Sequence, residues 1–292
     1  MNQRVELQGI KKALQKEQRQ LLVRKFFRNR LAILGTIITL AMILLAVFAD
    51  VLAPQGPLDM VVRDRLKAPD SQYLFGTDTF GRDVLSRTIY GARVSMIIGA
   101  AVGLSSMVLG MILGLYASYY KPLDNILMRI CDGLSAIPST LLAIALMAVL
   151  GSTMTNVIIA MSIVAVPRLA RISRAAAVVV KEQTYIEAMR STGAYDFRIL
   201  WKHIAPNILS PIVVQTTYTF ANAIITEAAL SFLGVGVPVP TPSWGNILYE
   251  GKTVINKAWW MIVFPGAFTA IAVLGMNIFG DGLRDILDPY TN

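Results

Sequence analysis

The sequence predicts an all-α integral membrane protein of six transmembrane helices with both termini in the cytoplasm. Three observations carry this. The 292-residue chain is 55% hydrophobic and only 15% charged, against about 25% charged in soluble domains. Its mean hydropathy is +0.57, and several apolar runs exceed the roughly 18 residues needed to cross a bilayer. Its positive charge is also concentrated in two places, residues 1–30 and 168–210, and such clusters mark cytoplasmic surfaces. The formal net charge of +9 therefore reads as positive-inside bias, not as a nucleic-acid groove.

The elements follow in order. Residues 1–30 hold nine Lys/Arg against two Glu and predict an amphipathic segment on the cytoplasmic face. A basic stretch before an apolar run resembles a signal peptide. This run is too long and lacks a small-residue cleavage site, so an anchor that stays is expected. Residues 31–53 form the first span, stopped by Pro54. Residues 54–93 are polar and mixed in charge, an extracytoplasmic loop. Residues 94–120 are free of charge and form the second span; Gly99-x-x-x-Gly103 and Gly110-x-x-x-Gly114 in it would allow close helix approach.

The uncharged stretch 133–167 is too long for one span and short for two. Gly151-Ser152-Thr153 suggests a tight turn between spans 134–150 and 154–167. Charge favours two, because a single span would put the basic loop outside. Spans five and six run over 211–234 and 259–280, within a core of residues 94–280. Residues 281–292 make a cytoplasmic tail. Trp244, Trp259 and Trp260 fall where an outer aromatic belt would lie.

The basic loop has its own pattern. Thr184-x-x-Glu187 fits a capping box that starts a helix at Tyr185, with Arg190 towards its end and Gly193 able to terminate it in the left-handed conformation. Phe197, Leu200, Trp201 and Ile204 recur at helical spacing, and Pro206 is expected to end this second helix. The loop thus reads as helix–glycine turn–helix, suited either to docking a partner or to lying on lipid.

No catalytic constellation is visible. The chain has one histidine, His203, and one cysteine, Cys131. That leaves no Ser/His/Asp set, no internal disulfide and no metal-ligand spacing. It lacks Gly-x-x-x-x-Gly-Lys-[Ser/Thr], so no ATP site of the P-loop type is present. Glu227 lies in span five, about 24 Å along the helix from Pro211 at 1.5 Å per residue. An acid there suggests either a pathway residue at the outer mouth or a structural pair. Pro238, Pro240 and Pro242 predict a stiff extended loop, and Arg82, Asp83 and Arg87 an amphipathic segment at the outer surface. A stand-alone secondary transporter or channel would need several intramembrane acids, and only Glu227 and Asp50, both near span ends, qualify. An intramembrane protease would need a base at membrane depth, which His203 does not supply.

Glu187-Ala188-Met189-x-x-x-Gly193, followed by His203-Ile204-Ala205-Pro206-Asn207, resembles the EAA loop of ATP-binding-cassette importer permeases. Met189 departs from the usual third Ala, and His203 and Ala205 from the general Ile and Leu. The His-Ile-x-Pro-Asn form matches the peptide/nickel branch. Residues 74–95, 227–246 and 280–289 resemble the same branch, so the likeness to dipeptide and oligopeptide permease subunits (the DppC/OppC type) extends from about residue 24 onwards.

The resemblance implies a type I importer permease fold with spans two to six as its core, in a bacterial inner membrane. It also implies a homologous second permease, an extracytoplasmic substrate-binding protein, and two cytoplasmic ATPase subunits that carry the ATP and magnesium. The chain would then be no enzyme itself. Tyr185, Glu187, Ala188, Met189, Arg190 and Gly193 become the ATPase-coupling residues, and Glu227, Ser231 and Trp244 candidates for the pathway or outer mouth. Dipeptides, oligopeptides, glutathione and nickel chelates all fall within the branch as substrates.

Overall fold

The computed structural model of the chain describes residues 23–287 together with Glu17, Gln20 and Leu21. Most of the expected N-terminal amphipathic segment and the last five residues of the tail lie outside the described residues. The first long helix, α1 (Arg30–Val47), begins where Asn29 accepts a hydrogen bond from the Ala32 amide, and a short turn carries the chain on to Ala53. Then follow α2 (Val84–Tyr119), α3 (Lys121–Ala136), α4 (Ser139–Leu150), α5 (Met154–Lys181), α6 (Thr184–Ser191), α7 (Leu209–Phe232), α8 (Trp244–Lys252) and α9 (Trp260–Leu287). Among the described residues there is no strand; a single isolated bridge joins Thr77 to Asp83.

The second span begins ten residues earlier than expected. Asp83 caps it, accepting from the Ser86 amide at 2.8 Å and the Ser86 hydroxyl at 2.6 Å. At 36 residues the helix is about 54 Å long. It is therefore longer than a hydrocarbon core of about 30 Å, and Val84–Arg93 is its N-terminal end, not loop.

The third span also differs. Residues 133–136 finish α3, an amphipathic helix whose polar face carries Asp124 and Asp132. These pair with Arg174 and Arg171 of α5. The chain then bends by 94° at Ile137-Pro138 into α4, which has 12 residues and is too short to cross alone. The turn at Gly151-Ser152-Thr153 is present, with Gly151 at positive φ and Thr153 capping α5. α5 runs on through Pro167 and absorbs residues 168–181, so the polar loop proper starts at Glu182. Among the described residues four helices are long and apolar enough to cross a membrane, and the bent α3–α4 pair would make five. That is one fewer than the six spans expected.

α2 is the axis of the fold, packing along α5 on one side and α7 on the other, while α1 lies on α9. The glycine spacing in α2 has a steric basis. A Cβ on Gly110 would lie 2.5 Å from Leu169 Cβ, and one on Gly114 would lie 2.4 Å from Ser173 Cβ. No side chain fits there, so the α2–α5 backbones meet through these two positions.

Around α8 and the segment before α2 the sequence reading needs two corrections. Arg82 and Arg87 do not lie on the surface. Arg82, Arg87 and Asp78 are buried, and both guanidinium groups share Asp78 and Glu250. The network ties the loop before α2 to α8, and buried charges of this kind require such pairing. Of the three tryptophans, only Trp259 is exposed. Trp244 and Trp260 are buried and donate to the Thr88 and Thr77 carbonyls, both at 3.0 Å.

Candidate functional site

The predicted docking element sits at the charged end of the bundle. α6 has eight residues. Its N-cap is Gln183, which makes no side-chain cap bond, so the expected Thr184–Glu187 capping box does not form. Thr184 is already inside the helix, one position too late to serve as the cap. The C-terminus follows expectation. Gly193 has φ +80°, its amide donates to the Arg190 carbonyl at 2.9 Å, and the Ala194 amide donates to the Met189 carbonyl at 3.0 Å. These two bonds are the Schellman pattern.

One face of α6 is the anchor. Ile186 is fully buried against Leu115, Leu169, Ala177, Ile199, Leu200 and Ile204, with Met189 packed beside it. The other face is exposed at Tyr185, Glu187, Ala188 and Arg190. The Glu187 carboxylate has no hydrogen-bond or ion-pair partner among the described residues. Arg190 lies over the Tyr119 ring at 5.0 Å, and Tyr119 donates to Asp196 at 2.5 Å. The element is thus fastened to the C-terminal end of α2 while its acid stays free.

After Gly193 the chain does not make the simple helix that Phe197, Leu200, Trp201 and Ile204 suggested. It forms one short α-turn (Asp196–Arg198), a π-helical stretch (Ile199–Ile204) and a 3₁₀ turn (Ala205–Ile208), then enters α7. Pro206 does not end the helix. It lacks an amide hydrogen, and its ring crowds the carbonyl four residues earlier; the wider turn before it accommodates this, with the Ala205 amide donating to Leu200. The changed phase buries Ile199, Leu200 and Ile204 and leaves Phe197 69% exposed. Asn207 of the same motif donates to the His203 carbonyl at 2.6 Å and reaches Tyr185 of α6 at 3.4 Å.

The second set of predicted residues, Glu227, Ser231 and Trp244, is enclosed at the C-terminal end of α7. Glu227 is fully buried. It accepts hydrogen bonds from Ser95 of α2 (3.1 Å), Ser231 (2.8 Å) and Ser243 (2.9 Å), the last being the N-cap of α8. Ser231 also accepts from the Val237 amide at 3.2 Å. The carboxylate thus links α2, α7 and the proline-bearing loop. Three hydroxyl donors in place of an arginine satisfy a buried acid only in part. Ser95 and Ser243 lie 132 and 16 residues from Glu227 along the chain, so no local pattern pairs them with it.

Sequence reasoning missed a cavity of about 320 Å³ between α2, α4, α5 and α7. Gln215, Thr219, Asn222 and Thr226 line it from α7, and Arg168 from α5. Their spacing of four, three and four residues along α7 is a helical stripe, and this was the available signal. Among the described residues no group of three or more His, Cys, Asp or Glu is arranged to hold a metal ion.

A helical membrane bundle that presents a fastened, solvent-facing helix at its basic end and holds a polar cavity between its spans has the form of a transport subunit. Residues 106–292 match the family of binding-protein-dependent transport system inner membrane components. Residues 17–69 match the N-terminal TM domain of oligopeptide transport permease C. The chain belongs to this permease family, and is a multi-pass protein of the bacterial inner membrane.

The dipeptide transport system permease protein DppC of Alkalihalophilus pseudofirmus is 43% identical, over 90% of this chain and 86% of that protein. The glutathione transport system permease protein GsiD of Escherichia coli is also 43% identical, over 91% of this chain and 88% of its own length. A solved inward-facing structure of the MetNI methionine ABC transporter shares the fold: its TM-score is 0.56 at 18% identity, over 70% of this chain and 98% of that one.

Proposed function

We propose that the chain is one of two permease subunits of an ATP-driven importer for short peptides, and that α6 transmits the force of ATP hydrolysis to the spans. The observation that carries this is the two-sided character of α6. Ile186 and Met189 lock it to the inner ends of α2 and α5, while Tyr185, Glu187, Ala188 and Arg190 face outwards beside the unpaired Glu187 carboxylate. A surface helix so firmly anchored moves with the bundle, and its free acid offers a charge-assisted contact to a basic groove.

ATP and magnesium then belong to two ATPase subunits, a binding protein delivers substrate at the outer face, and a homologous permease closes the pathway. The six-span, cytoplasmic-ended arrangement fits this role once the bent α3–α4 pair and α5 both cross. Glu227, Ser231 and Trp244 hold the outer mouth in shape around the proline-bearing loop. The peptide substrate rests on the relatives with dipeptide and glutathione systems. The test is Glu187→Lys in the assembled complex, reconstituted with its binding protein. Peptide uptake and uptake-linked ATP hydrolysis should both fall while the permease level in the membrane stays normal; undiminished coupled hydrolysis would remove α6 from the force path.

A further inference from the structure

α5 carries three arginines in succession on its inner half, Arg168, Arg171 and Arg174, and the fold treats them differently. Arg171 pairs with Asp132 at 3.0 Å, and Arg174 pairs with Asp124. Both acids stand on α3. Arg168 is exposed and has no ion-pair or hydrogen-bond partner among the described residues; it lines the cavity instead. A cation beside apolar spans is costly unless something compensates it.

A second, independent feature points into the same cavity. Gln215 is 92% buried, and its Nε2 has no hydrogen-bond partner. A buried amide donor left unpaired is uncommon and destabilising. One helix turn further along α7 stands Thr219, then Asn222 and Thr226, all on the cavity wall. The volume of about 320 Å³ is at the small end for ligand pockets and suits one or two residues of an extended chain.

We infer that this cavity is a carboxylate subsite on the inner part of the pathway, where Arg168 takes the negative charge of the passing peptide and Gln215 donates to one of its oxygens. The inference rests on the reading of the chain as a peptide permease. What the subsite needs from Arg168 is its positive charge, which forms a charge-assisted hydrogen bond to a carboxylate and which a lysine would also supply. The site's exposed cation and its opening between helices suit brief capture better than tight retention, as a transport path requires.

The test uses the complete importer, in a chain with Cys131→Ser and Arg168→Cys, purified, modified and reconstituted in vesicles with its binding protein and a tripeptide bearing a free carboxyl terminus. Arg168→Cys should lower uptake about tenfold, the factor that 1.4 kcal/mol of lost charge pairing corresponds to. Modification with a cationic aminoethyl methanethiosulfonate should restore most of it. The anionic sulfonatoethyl and neutral methyl reagents should not. Arg168→Lys, which keeps the charge, should stay within about threefold of wild type, and it decides the matter if the cysteine chain does not assemble. Uptake that is unaffected by Arg168→Cys, restored equally by all three reagents, or lost as fully in Arg168→Lys would overturn the subsite. Failure of the unaltered complex to carry the tripeptide at all would instead count against the peptide reading.

Discussion

Replacing Gly193 separates the geometry of the coupling element from its chemistry. A Cβ at this position would meet nothing within 4 Å, so the cost of a side chain is purely the backbone's. With φ at +80°, an L-residue costs about 1–2 kcal/mol, and a β-branched one lies towards the upper end of a range of about 1–3 kcal/mol. Burial of Ile186 holds α6 with roughly 1.5–3 kcal/mol. Strain and anchor are therefore comparable for Gly193→Val. The turn should give way locally, losing the Gly193 and Ala194 amide bonds that end the helix, while the spans remain folded. Asn visits the left-handed region more readily, so Gly193→Asn should be milder. In vesicles with the ATPase and binding protein, Gly193→Val should leave assembly and ATP binding intact but cut peptide uptake severely, with Gly193→Asn intermediate. Equal loss in both variants would refute the backbone argument and point to exclusion of any side chain at the ATPase surface. Equal retention would mean that the turn has no part in coupling.

Asp78→Asn should destabilise the outer cap by about 3–5 kcal/mol, because it leaves Arg82 and Arg87 sharing Glu250 alone in a buried site; a drop in the complex's thermal midpoint in detergent would report it, and an unchanged midpoint would contradict the network. Gly114→Ala should cost about 1–3 kcal/mol by forcing α2 away from Ser173 and Ala170, whereas Gly133→Ala, with nothing within 4 Å of the new Cβ, should cause no loss in the same assay and gain up to about 1 kcal/mol from helix propensity. Single cysteines at positions 190 and 241, in a chain with Cys131 replaced, should be labelled from opposite sides of the membrane; labelling of position 190 from outside would refute the orientation.

What could be read from the sequence was whatever local chemistry decides. Gly193 and Gly151-Ser152-Thr153 lie where chain conformation depends on the residue itself, and both turns are found as expected. The apolar runs placed α1, α7 and α9 within a few residues, apart from the tail of α9. Errors arose where a distant partner or the surroundings overrode the local signal. Arg82 and Arg87 look like surface residues until Glu250, more than 160 residues away, is brought beside them. Pro206 suggested a helix end and the span over 154–167 stopped where its uncharged run stopped, yet Pro167 and Pro206 both lie inside continuous helical paths. The bend at Pro138 was hidden because the uncharged end of α3 reads like the start of a span. The cavity was missed because each of its polar residues is unremarkable alone, and the stripe becomes meaningful only when α5 brings Arg168 opposite it.

The central claim is that the exposed face of α6 lies against an ATPase subunit. A cysteine at Ala188, which is exposed on that face, in a chain with Cys131→Ser, should form a disulfide under mild oxidation with a cysteine placed in the surface groove of the co-expressed ATPase. The yield should change between nucleotide-free and ATP-bound complexes as the coupling helix moves with the spans. A cross-link that forms equally well from Ala145, inside the short helix α4, or none from Ala188 in an intact complex, would contradict the account.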